Sequence, residues 1–182
     1  MLVNLISHPQ SPPVAVRSIG VDVNADGHGG LHLRYDVSGE LDQLVFASPA
    51  APAREHRLWQ RSCFEIFLKV PGEEGYQEYN FSPSGAWAAY GFSGRRAGMW
   101  DLDRSQAPLI TCGIIENAFV VDVTLVNALT IPDAPMLVGI STIIEEKSGA
   151  FSYWAIAHPQ GTADFHHSDC FALTFPFEDI AP

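Results

Sequence analysis

The stretch Leu31-His32-Leu33-Arg34-Tyr35-Asp36-Val37 places an apolar side chain at every odd position and a polar one at every even position. Successive side chains on a strand point to opposite faces, so this alternation describes a half-buried antiparallel strand with one solvated face. Further strands read outward from it. Segments 14–23 and 41–46 are shorter candidates, and in 62–70 Phe64, Ile66 and Leu68 share one face while Cys63, Glu65 and Phe67 share the other. Segments 76–81 and 86–92 flank Ser82-Pro83-Ser84-Gly85, a turn signal that makes them a hairpin. Segments 109–116 and 118–126 meet at Asn117, segments 136–145 and 151–158 flank Lys147-Ser148-Gly149, and 170–175 supplies the last strand. Helical periodicity with caps is absent, apart from one turn available at Val126–Leu129. About ten short strands with regular turn signals predict an all-β, jelly-roll-like antiparallel β-sandwich. Two long connections, 47–60 and 93–107, interrupt the rhythm and are natural places for binding residues.

Composition bounds the function. The chain has 182 residues, 47% hydrophobic and 17% charged, against roughly 25% charged in an ordinary soluble domain. A chain of this length buries about 70% of its unfolded surface, which supports one good core and a single domain over the whole length. The net charge of −11 repels phosphate backbones and anionic membrane surfaces, so the expectation is no nucleic-acid partner and no membrane partner. No apolar run is long enough for a membrane span, and residues 1–10 lack the pattern of a secretory signal. Cys63, Cys112 and Cys170 are odd in number and widely spaced, which reads as free thiols in a reducing cytoplasm.

Three clusters could carry chemistry. In Arg57-Leu58-Trp59-Gln60-Arg61-Ser62-Cys63-Phe64-Glu65, a tryptophan stands at the mouth of a strand and a carboxylate lies inside it. A carboxylate among apolar neighbours needs donors, so Glu65 either accepts from a ligand hydroxyl or pairs with Arg57 or Arg61. In 76–87, Glu78 and Asn80 share one face, Tyr79 and Phe81 the other, with Trp87 beyond the turn. Rings beside amides and carboxylates suit sugars, whose C–H faces stack while hydroxyls hydrogen-bond. The third cluster joins Trp154-Ala155-Ile156-Ala157-His158-Pro159 to Asp164-Phe165-His166-His167-Ser168-Asp169. Its spacing matches no zinc pattern, so no metal is expected, and the histidines order the loop or face a ligand. Arg95 and Arg96, near Trp100, either clamp an anionic group or form a surface pair. No nucleophile elbow, Walker loop or dinucleotide fingerprint occurs, so no catalytic residue and no cofactor is assigned.

At Leu58-Trp59-Gln60-Arg61-Ser62-Cys63-Phe64-Glu65-Ile66-Phe67, at Tyr79-Asn80-Phe81-Ser82-Pro83-Ser84-Gly85-Ala86-Trp87-Ala88-Ala89-Tyr90, and at Tyr153–Pro159 with Asp164–His167, the chain resembles the DOMON-like superfamily. It looks like a bacterial subgroup of single-domain proteins related to family 9 carbohydrate-binding modules. The resemblance implies a jelly-roll-like sandwich with a concave ligand face that binds sugars or haem. Residues 60–64 lack the acidic pair often found between the Trp and Glu of the sugar-binding modules, and nothing pairs Met99 or Met136 with a particular histidine as haem ligands.

The expectation is therefore a non-catalytic module for a carbohydrate or similar polar small molecule, lined by Trp59, Arg61, Glu65, Asn80, Trp87, Trp100, His158 and His166. One alternative is a sugar-acting hydrolase or isomerase using Glu65 or a histidine of the 164–167 loop. Another is a protein-interaction or haem-binding domain, and a homodimer is compatible with all of these readings.

Overall fold

A computed structural model describes residues 1–104, 106–129 and 134–176. Its strands are β1 (Leu2–Asn4), β2 (Ile6–Ser7), β3 (Val16–Ala25), β4 (Leu31–Gly39), β5 (Leu44–Val45), β6 (Cys63–Lys69), β7 (Tyr76–Phe81), β8 (Trp87–Phe92), β9 (Trp100–Asp101), β10 (Leu109–Ile115), β11 (Ala118–Leu125), β12 (Met136–Glu146), β13 (Phe151–Ala155) and β14 (Leu173–Phe175). Among the described residues, helix is confined to short 3-10 turns at Leu41–Gln43, Leu58–Gln60 and Ser168–Cys170. The first sheet has the order β1-β3-β4-β11-β10, and the second runs β2-β13-β12-β6-β7-β8-β9. On β12, one edge is shared by β13 and β14 and the other by β6 and β5. All these pairings are antiparallel, and the fold is an all-β two-sheet sandwich. Among the described residues there are fourteen strands rather than about ten, because β1, β2 and β9 are only two or three residues long, too short to show a period; the strand expected at 41–46 shrinks to β5 behind a 3-10 turn.

The alternating stretch 31–37 lies in β4. Leu31, Leu33, Tyr35 and Val37 are buried, while His32, Arg34 and Asp36 face out. Arg34 pairs there with Asp36 at 3.1 Å and with Asp122 of β11 at 3.8 Å. The inner faces of β3, β4 and β11 meet Phe64, Ile66, Leu68, Tyr79, Phe81, Val138, Ile140 and Trp154 of the second sheet in one apolar core. The Tyr35 hydroxyl crosses that core and donates to the Glu65 backbone carbonyl at 2.9 Å. The Ser82–Gly85 turn forms as the sequence implies, with Gly85 at φ +91° and its N–H donating to the Ser82 carbonyl.

The second sheet is different, because both of its faces are covered. All six residues of β8 are buried, as are six of the seven in β6. Strands buried on both faces lose the polar half of their alternation, and Trp87-Ala88-Ala89-Tyr90-Gly91-Phe92 has none. The outer face carries a second apolar cluster. Cys63, Phe67, Tyr76, Tyr90, Phe92 and Ile143 come from the strands, and Leu58, Phe165 and Phe171 come from segments laid across them. Glu65, Glu78 and Asn80 lie on this covered face, where exposure of each is under 5%. No helix among the described residues is long and apolar enough to cross a membrane.

Candidate functional site

The covering segments do not close completely over the second sheet. They leave a cavity of about 680 Å³, with Glu65 and Glu78 among its lining and Trp59, Phe92, Tyr153 and Phe165 as aromatic walls. That volume lies within the range of small-ligand sites, roughly 300–1,000 Å³. Strand register explains the polar group. Glu65 on β6 stands opposite Asn80 on β7 and Ser141 on β12, while Glu78 on β7 stands opposite Phe67 and Tyr90. Two-residue alternation puts Glu78 and Asn80 on the same face as Glu65.

Glu65 accepts a hydrogen bond from the Ser141 hydroxyl at 2.8 Å, and Glu78 accepts from the Asn80 amide at 2.6 Å. Burial pushes the Glu65 carboxyl up to about 8, and the neighbouring Glu78 charge pushes the same way against the Ser141 hydrogen bond. Burial also raises Glu78, to about 7, opposed by the Asn80 hydrogen bond and the Arg96 charge. Two interacting carboxyls titrate as a pair, and burial keeps the pair from being fully ionised at neutral pH.

His166 completes the polar wall. Its ring is packed by Phe67 and Phe92 at centroid distances of 5.3 and 5.2 Å, with Tyr76 at 5.8 Å. Burial lowers its pKa to about 4, helped by the Arg96 charge, so the imidazole is neutral at physiological pH. The Tyr76 hydroxyl accepts the Arg96 backbone N–H at 3.1 Å and meets His166 Nδ1 at 2.7 Å. We assign the tyrosine hydrogen to Nδ1, which leaves the ring proton on Nε2, 3.8 Å from Glu78 Oε2.

Asp164 fastens the loop that carries His166. Arg95 and Arg96, from the β8–β9 connection, both grip its carboxylate, the Arg96 Nε at 3.0 Å. The anionic group that this arginine pair could clamp is thus one of the protein's own side chains. Burial would raise the Asp164 carboxyl, but the two guanidiniums outweigh it and hold it below the usual range.

The structure brings Trp59, Glu65 and His166 to one cavity, with Asn80 beneath it. The other residues expected to line the site, Arg61, Trp87, Trp100 and His158, lie elsewhere. Trp87 points into the core between the sheets, where Arg54 stacks on its ring at 5.2 Å. Tyr79 and Phe81 also face that core, so neither offers a ring to a ligand on the covered face. Trp100 lies across Gly91, whose missing side chain would collide with the indole. Gly91 shares the parity of Trp87 and Ala89, so this ring covers the opposite face of β8. Arg61 pairs with Glu145, not Glu65. His158 donates from Nε2 to the Ile6 carbonyl at 2.8 Å and packs edge-on against His8, tying β2 to the segment after β13. His167 caps the last 3-10 turn by accepting the Asp169 N–H. Among the described residues, no group of three His, Cys, Asp or Glu side chains is arranged to hold a metal. Met136 is in the core, and Met99 lines the cavity.

Glu78, Tyr76, Tyr153 and Phe165 enter the site although the sequence reading did not select them. For Glu78 the signal was present, since it shares a face with Asn80. For Phe165 none was, because its position depends on how the segment after β13 folds back; Tyr153 reaches the covered face through its register on β13, opposite Ile143.

The fold has a solved counterpart. A Bacteroides uniformis crystal structure described as a "putative carbohydrate-binding protein" matches with a TM-score of 0.67 and 13% sequence identity, covering 96% of this chain and 84% of that one. At that identity the likeness establishes the fold. No family model and no curated protein matches the sequence.

Proposed function

We propose that the protein binds a small, hydroxyl-rich molecule of the carbohydrate class in the cavity on the outer face of the second sheet. The observation that carries this reading is one enclosure combining aromatic walls with buried hydrogen-bonding groups, the pattern that holds a sugar by stacking and by hydroxyl contacts at once. Glu65 and Glu78 accept hydroxyl hydrogens, His166 Nε2 donates one, and Trp59, 37% exposed at the rim, offers a ring face. The name of the solved counterpart points the same way. The finer placement in the DOMON-like superfamily, beside family 9 carbohydrate-binding modules, rests on the motif resemblance. It is supported by the Trp59–Glu65 stretch running from the rim of the cavity to its floor.

Tryptophan fluorescence during titration with a panel of mono- and oligosaccharides tests the proposal. Trp87 and Trp154 are buried in the core and Trp100 faces away, so the ligand-dependent change belongs to Trp59. Trp59→Ala is expected to weaken binding roughly tenfold, as loss of one stacking partner does. Saturable binding to no sugar of the panel would overturn the reading.

The convergence of two carboxyls and an imidazole favours a second reading, in which the site transfers protons at a bound sugar. One carboxyl holding a proton at neutral pH serves as acid while its partner serves as base. On this reading reducing sugars change anomer faster, or aryl glycosides are cleaved, with Glu78→Gln lowering the rate by roughly a hundredfold or more. Equal rates with and without protein reject it.

A further inference from the structure

The cavity contains two acids and no uncommitted base. Glu65 and Glu78 are 2% and 4% exposed. Their side-chain donors are neutral, the Ser141 hydroxyl and the Asn80 amide. Among the described residues, no lysine or arginine forms an ion pair with either carboxyl. Arg96 lines the cavity, and its field reaches both acids, but its Nε and Nη2 are directed at Asp164. His166, the base nearest Glu78, is neutral. Asn80 adds a further acceptor: it is fully buried and stands opposite Glu65, and its Oδ1 has no partner.

Buried carboxylates without a cation, beside an orphaned amide oxygen, are expensive to keep. Either a proton offsets part of that cost, or a ligand does. An ammonium group supplies one positive charge and three N–H donors, and hence both of the things this floor lacks. The surrounding rings of Trp59, Phe92, Tyr153 and Phe165 suit the same charge, because aromatic faces attract cations most strongly where water is excluded. A neutral sugar would bring only hydroxyls to two acids.

We propose that the cavity selects an amine carried on a hydroxylated ring, an amino sugar of the hexosamine type, with its ammonium seated at Glu65 and Glu78 and its ring against Trp59. This rests on the cavity being the ligand site proposed above. It goes further in making positive charge the selective feature.

Calorimetric titration with D-glucosamine, N-acetyl-D-glucosamine and D-glucose tests it, because acetylation removes the charge and keeps the ring. Glucosamine is expected to bind tighter than either neutral sugar by roughly tenfold or more, the ratio expected of one desolvated charge contact. Glu65→Gln and Glu78→Gln should each erase that preference while the circular dichroism of the fold stays unchanged. Equal or tighter binding of the neutral sugars overturns the amine selectivity and leaves the sugar site standing. If no sugar binds, tetramethylammonium and neutral tert-butanol separate the two ideas. Quenching of Trp59 by the cation alone supports charge selection and removes the sugar reading. Quenching by neither removes both.

Discussion

Glu65→Gln is expected to stabilise the fold at pH 8, by about 1–4 kcal/mol, and to change it little at pH 5. The sign follows from the burial of the carboxyl. In the unfolded chain Glu65 ionises near its ordinary value of 4.5, whereas in the folded protein burial and the Glu78 charge hold the proton up to about 8. Between those values the folded state binds more protons than the unfolded state, so stability falls as pH rises. Below 4.5 the group is protonated in both states and the effect vanishes. Glu78, raised to about 7 by burial, adds a fall over the lower part of the same window. Glutamine keeps the shape, keeps an acceptor for the Ser141 hydroxyl, and replaces the contested proton with a permanent amide donor. Thermal unfolding at pH 5, 6, 7 and 8 measures the effect. The wild type should lose several degrees across the series relative to the variant. A variant less stable than wild type at pH 8 would mean that Glu65 is ionised and well compensated, contrary to this account.

Asp164→Ala is expected to cost about 1–2 kcal/mol of stability and to weaken ligand binding roughly a hundredfold. Asp164 is the only residue that ties both Arg95 and Arg96 to the segment covering the second sheet, among the described residues. It also accepts the His166 backbone N–H at 3.2 Å, so it fixes the ring that faces Glu78. Its loss acts twice. The covering segment loses its charged anchor, and the freed Arg96 can turn inward to pair with Glu78, filling the cavity and neutralising its floor. The stability cost stays modest because both arginines are more than half exposed and can rehydrate. Its pH dependence is opposite to that of Glu65. The Asp164 carboxyl sits below its ordinary value of 3.8, so the clamp contributes above that pH and is lost as pH falls. Denaturant unfolding and ligand titration of Asp164→Ala and Asp164→Asn measure both effects. Unchanged binding in the alanine variant would show that the clamp does not organise the cavity.

The first sheet was legible residue by residue, because it has water on one side. In β4, and in β11 from Val121 to Leu125, the apolar and polar positions alternate, and the structure buries the first set and leaves the second at least partly exposed. The second sheet was legible as strands but not as surfaces. Cys63, Glu65 and Phe67 form a set that is neither polar nor plainly apolar, and most of what covers it, Phe165, His166 and Phe171, comes from residues about a hundred positions later. The tryptophans show the same divide. Trp59, in a turn before β6, reaches the cavity, whereas Trp87, a strand residue with the same chemistry, faces the core on the other side of its sheet. Sheet parity turns Trp87 toward the core, and parity is known only once register is fixed.

By itself, then, the sequence determined the all-β class, the inward face of the first sheet, the main turns and the stretch from Trp59 to Glu65, because two-residue periodicity and turn chemistry are local properties. Only the tertiary structure decided that Glu78 joins Glu65, that His166 and not His158 faces them, and that the arginine pair holds Asp164. Those contacts join segments 13 to 101 residues apart, and the desolvation that raises the two carboxyls exists only when the later segment lies over the earlier strands.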